Sequence, residues 1–138
     1  MLKSKKGFTL IELMVVVAII GVLALLGLRL YTGQQMKAKN AIVKANAGTI
    51  QTLIQANLAD STSSEVNDML TATPINLFQA SGIHIPDGAA QTANGGANIG
   101  QVVVTYLGAV GSEYFTINGN SFDVPSEDVF TTDLTARK

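Results

Sequence analysis

The 138-residue chain contains no cysteine and no tryptophan, one histidine and three prolines. Without cysteine there is no disulfide framework, no thiol nucleophile and no thiolate metal site. A single histidine, His84, rules out a histidine-rich metal cluster. It lies between Ile83 and Ile85, where a hydrogen-bonded structural role is the expectation. No phosphate-cradling glycine motif occurs, because the Gly-rich stretch Pro86–Gly100 lacks a Lys-Ser/Thr ending. Asp123, Glu127 and Asp128 are close in sequence but lack the spacing of a calcium loop. These residues supply no plausible catalytic set, and the expectation is a protein that is not an enzyme and uses neither metal nor cofactor. An enzyme tethered by an N-terminal anchor is the alternative that this deficit disfavours.

Charge is scarce and unevenly distributed. From Phe8 to Ile54, Arg29, Lys37, Lys39 and Lys44 stand against Glu12. From Gln55 onward, nine acids stand against Arg137 and Lys138. The acidic distal part argues against nucleic acid as a main partner, since phosphates require Lys and Arg. A basic stem beside acidic heads of other copies suits self-association.

The apolar residues are concentrated at the start. Met1–Gly7 is a short basic head with Lys3, Lys5 and Lys6. In Phe8–Leu28 only Thr9 and Glu12 are polar. At ~1.5 Å per residue such a helix is ~31 Å long, the thickness of a bilayer core. A secretory signal has a shorter apolar core and a small-residue cleavage site, which this stretch lacks. Helical periodicity continues through Met36, Val43, Ala47, Ile50, Ile54 and Leu58, widened by Ile42 and Leu53. The pattern predicts one helix from about Phe8 to about Ala59, ~75 Å long. Gly21, Gly27 and Gly33 lie within it, each costing about 1 kcal/mol relative to Ala. They suit either close helix packing or a place where the helix softens.

Beyond the polar turn "DSTSS", Thr62 and Glu65 form a capping box for a short helix near Glu65–Leu70. Thr73, Pro74 and Gly82 read as cap, first residue and stop of another short helix. The last third predicts strands over Gln101–Leu107, Glu113–Asn118 and Asn120–Val124, with a hairpin at Asn118-Gly119. Pro125 ends the third strand, and Ser126 is placed to cap a terminal helix starting "EDVF". The fold class is α+β: a long N-terminal helix whose C-terminal half packs on a small antiparallel sheet.

Glu12 is the anomaly. A carboxylate inside a lipid-facing helix costs several kcal/mol, and an intramembrane acid implies a partner. The plain alternative is a side chain snorkelling to the headgroups one turn from the span's edge.

"KKGFTLIEL" followed by "LMVVVAIIGVLALL" resembles the leader and cleavage motif of type IV pilins and the related pseudopilins of type II secretion systems. The resemblance covers Met1–Leu28, and the looser plan of long helix, loop and sheet agrees with the rest. It implies the pilin fold and three segments: a leader over 1–7, a hydrophobic membrane and filament-core helix over 8–31, and a head over 32–138. It implies cleavage by a membrane-embedded prepilin peptidase between Gly7 and Phe8, N-methylation of Phe8, and a precursor held in the inner membrane. Assembly into an extracellular helical homopolymer would follow, through a platform protein and ATPases, for adhesion, motility or DNA uptake. Glu12 would then pair with the Phe8 amine of a neighbouring copy and set register. A secretion pseudopilin and a minor or tip pilin with a binding role are the alternatives within the family. Many family members carry a proline where this chain has Arg29, and paired C-terminal cysteines that this chain lacks. The C-terminal loop would be held by packing of Phe122 and Phe130 instead.

Overall fold

The computed structural model describes residues 7–72, 76–95, 99–109, 112–122 and 127–136. It divides into two compact units, residues 1–35 and 36–138. The elements are α1 (Leu10–Asp60), α2 (Ser63–Thr71), α3 (Leu77–Ser81), β1 (Val102–Ala109), β2 (Ser112–Asn120) and β3 (Asp128–Thr135).

In the first unit, α1 is apolar on every side. The large apolar side chains from Phe8 to Tyr31 are 46–85 % exposed. Burying each would gain about 1.5–3 kcal/mol, so this surface is stable only in lipid or against other chains. Gly21, Gly27 and Gly33 sit within α1, and nothing of the chain lies within 4 Å of where a β-carbon would be at any of them.

In the second unit the same helix has one buried face. Val43, Ala47, Ile50 and Ile54, spaced four, three and four apart, are fully buried. Leu53 and Leu58 pack beside them, whereas Ile42 is 43 % exposed and lies outside the expected stripe. The core is completed by Val66 and Leu70 of α2, Leu77 and Phe78 of α3, Ile83, Val102 and Val104 of β1, and Phe115 and Ile117 of β2. Tyr106 and Phe115 stack with centroids 4.9 Å apart.

The two short helices are locally encoded. Thr62 and Glu65 make the expected capping box of α2. For α3 the cap is Asn76, boxed with Gln79; the expected Thr73 and Pro74 lie outside the described residues. Gly82 closes α3 in the left-handed region at φ 64°, as a C-terminal glycine stop does.

The sheet is antiparallel in the order β1-β2-β3. Its third strand is not the expected one. β2 runs straight through Asn118 and Gly119, which pair with Val103 and Val102 on one side and Thr131 and Phe130 on the other. Of the expected return strand Asn120–Val124, Asn120 ends β2 and Ser121 and Phe122 are outside the sheet, while Asp123 and Val124 lie outside the described residues. The expected terminal helix is instead β3, in which half-buried Phe130, Thr132 and Leu134 alternate with exposed Thr131, Asp133 and Thr135. That period of two outweighs the capping signal at Ser126, which lies outside the described residues.

Gly119 serves close approach rather than a turn. A β-carbon there would meet Val43 Cγ1 of α1 at 2.9 Å and Phe130 Cβ at 3.4 Å. Gly119→Ala is therefore expected to destabilise the chain by about 1–3 kcal/mol through overpacking. Adding Val43→Ala should recover part of that loss. Thermal denaturation of the detergent-solubilised single and double variants measures it, and purely additive effects would refute the contact.

The C-terminal loop is fastened without a disulfide. Phe122 N–H donates to Asn40 Oδ1 at 2.8 Å, and Lys39 Nζ lies 3.8 Å over the Phe122 ring centroid. Lys39 also pairs with Asp87 at 3.3 Å, so one lysine joins α1 to two loops. Phe130 packs against the core edge.

Candidate assembly site

Gly7, Phe8 and Thr9 form irregular backbone directly before α1, and all three are exposed. Phe8 is 85 % exposed. An uncovered, non-helical segment at the Gly7–Phe8 bond is the form of backbone that a peptidase can grip, whereas a helical one is not.

Glu12 does not stand without partners. Thr9 N–H donates to Glu12 Oε2 at 2.8 Å and Thr9 Oγ1 donates to the same oxygen at 2.6 Å. In return Glu12 N–H reaches Thr9 Oγ1 at 3.4 Å. Leu13 N–H donates to the Thr9 carbonyl at 3.3 Å, which starts the helix. This is a capping box, with Thr9 as the cap and Glu12 three residues on. The acid satisfies an orphan N–H at the helix start, where negative charge is also favoured by the helix dipole. The sequence carries this signal as T-x-x-E before an apolar run, the same pattern that marks Thr62 and Glu65.

Phe8, Ile11, Glu12, Val15 and Val16 line one shallow groove. The carboxylate thus sits on the Phe8 side of the helix, one turn away. Gly21, Gly27 and Gly33 are remote from it along α1, and Arg29 lies near the end of the apolar stretch.

Elsewhere little gathers. Among the described residues no group of three His, Asp or Glu side chains is placed to hold a metal ion. Asp123 lies outside the described residues. His84 is exposed, with Nδ1 2.9 Å from the Gly82 carbonyl, and its own carbonyl accepts from Asn46 Nδ2 at 2.7 Å.

A model of the prokaryotic N-terminal methylation motif matches residues 2–28. A type IV major fimbrial protein FimA of Dichelobacter nodosus is 38 % identical over 98 residues, 69 % of this chain and 62 % of the relative. The chain is similar to type IV pilins, through this N-terminal motif and through these relatives. A probable minor fimbrial protein of the same organism is 39 % identical over 90 residues, 65 % of this chain and 54 % of the relative. Fimbrial protein EcpB of Eikenella corrodens is 47 % identical over 56 residues, 41 % of this chain and 35 % of the relative. The chain spans about half to three-fifths of the length of these Dichelobacter relatives. No solved structure matches it significantly.

Proposed function

We propose that this chain is a type IV pilin, a structural subunit of a type IV pilus, cut between Gly7 and Phe8 and polymerised through its apolar helix. The observation that carries the reading is the apolar surface of residues 8–31, uncovered within the chain, behind an exposed Gly7–Phe8 junction. Before assembly Phe8–Leu28 spans the inner membrane, with Lys3, Lys5 and Lys6 on the cytoplasmic side. A prepilin peptidase removes the leader and methylates the new Phe8 amine. A membrane platform and its ATPases then transfer the subunit into the extracellular filament, where the apolar stems form the core.

The cut creates a cation one turn from Glu12. In the stem bundle, Glu12 of one copy pairs with the Phe8 amine of the next and sets their register. The pair is a register device rather than a source of stability, because breaking it strands a buried charge at a cost of about 3–5 kcal/mol. Gly21, Gly27 and Gly33 are the positions at which α1 would bend or loosen to fit the bundle.

Two measurements test this. Sheared surface filaments should contain, by mass spectrometry, a subunit beginning at methylated Phe8, and cryo-electron microscopy should show the stems at the filament axis. A subunit starting elsewhere refutes the site. Gly7→Val should leave the chain uncut, because a branched side chain would crowd the peptidase at the scissile bond. A normally shortened product on gels would sink the cleavage assignment.

A further inference from the structure

Arg29 has no place in the assembly chemistry above, and its setting is specific. α1 continues unbroken from Leu10 to Asp60, and the first proline in the chain is Pro74. The backbone therefore does not mark where a membrane would end. Side chains do. Leu10–Leu28 is apolar except for Glu12, and at ~1.5 Å per residue it covers ~28 Å, close to the ~30 Å hydrocarbon core. Arg29 follows at once, then Tyr31, Thr32, Gln34 and Gln35. Arg29 and Tyr31 are both exposed, and Thr32 Oγ1 turns inward to the Arg29 carbonyl at 3.0 Å. Among the described residues no side chain pairs with the Arg29 guanidinium.

We propose that Arg29, with Tyr31 beside it, is the outer membrane-interface anchor of the unassembled subunit, and that it binds the phosphate of a phospholipid headgroup in the leaflet away from the leader. The proposal rests on the membrane-spanning reading given above. A guanidinium presents a planar fork of donors that fits phosphate in a bidentate way. Its long stem lets the charge snorkel from the helix surface to the headgroup level. Tyrosine suits the same depth, with its ring in the acyl boundary and its hydroxyl in water. The anchor sets span depth where neither a proline nor a helix end does so. Withdrawal of the stem into a filament must release this contact.

The test uses the full chain in phospholipid vesicles. The sequence has no cysteine, so single cysteines placed from Leu25 to Gln35 report depth through a membrane-impermeant maleimide. Protection should end at residue 28 or 29. In Arg29→Leu it should extend outward by about one turn, three to four residues, through Tyr31. With Arg137→Lys, Arg29 is the sole arginine, and guanidino-13C labelling should show dipolar coupling to lipid 31P in solid-state NMR. A protected stretch whose edge ignores Arg29→Leu overturns the depth role. A protected stretch with no carbon–phosphorus coupling overturns the phosphate contact and points to an acid of another copy. No protection at any of residues 25–28 overturns the membrane reading itself.

Discussion

Glu12→Gln and Glu12→Ala should abolish surface filaments to the same degree, while both chains still accumulate in the membrane at normal levels. The structure makes the pair of variants decisive. Glu12 closes a capping box with Thr9, and glutamine at that position also closes one. Loss of the cap alone would cost about 0.5–2 kcal/mol and would appear in the alanine variant only. Loss of the charge leaves each neighbouring Phe8 amine stranded in an apolar bundle, at about 3–5 kcal/mol. That weakens each subunit contact on the order of 10²–10⁴-fold. Counting sheared filaments by electron microscopy, with subunit levels from immunoblots, measures the effect. Normal filaments from Glu12→Gln would show that the acid serves the helix start and not docking.

Gln91→Ala should lower the melting temperature of the detergent-solubilised chain on the order of 5–15 °C, and the variant should aggregate. Gln91 is 4 % exposed and sits in the loop beside β1. Its Nε2 donates to the Val102 carbonyl at 2.6 Å, and its Oε1 accepts from Val102 N–H at 2.9 Å. Asn94 repeats the arrangement on Val104, at 2.6 and 2.8 Å. The two amides act as a substitute strand along the outer edge of β1. An unpaired edge is a template for pairing with other chains. Truncating Gln91 leaves the buried Val102 N–H unsatisfied, at about 1–3 kcal/mol, while the Val102 carbonyl keeps the Gly95 N–H at 3.1 Å. For a domain of this size each kcal/mol moves the melting point by about 4–8 °C. Asn94→Ala should cost less, because that site is only half-buried. An unchanged melting point for Gln91→Ala would show that water replaces the amide freely.

The loop that carries Gln91 and Asn94 reads in the sequence as a Gly- and Asn-rich surface loop suited to subunit contacts. Its role at the sheet edge was not legible, because side-chain amides mimic a strand only when the chain brings them to the right register. Gly119 was misread for a related reason. Asn-Gly is a turn signal, yet here the missing β-carbon makes room for Val43 of a helix far away in sequence. The strand at Asp128–Thr135 carries its alternation plainly, but a nearby capping serine competes with it until Phe130 and Leu134 have a core to face.

What the sequence determined by itself is everything set by local pattern. The apolar stretch Phe8–Leu28, the helical stripe from Val43 to Ile54, the Thr62 and Asn76 regions of short helix and the Gly82 stop all follow from residue type and spacing. The motif around Gly7, Phe8 and Glu12 is equally local, which is why the resemblance to prepilins is readable before any coordinates. Only the tertiary structure decided which strand completes the sheet, why Gly119 is glycine, how Lys39 and Asn40 hold Phe122, and how Gln91 guards β1. Each depends on contacts between residues distant in the chain. Such contacts are specified by complementary shape and unsatisfied backbone groups, and neither leaves a periodic trace in the sequence.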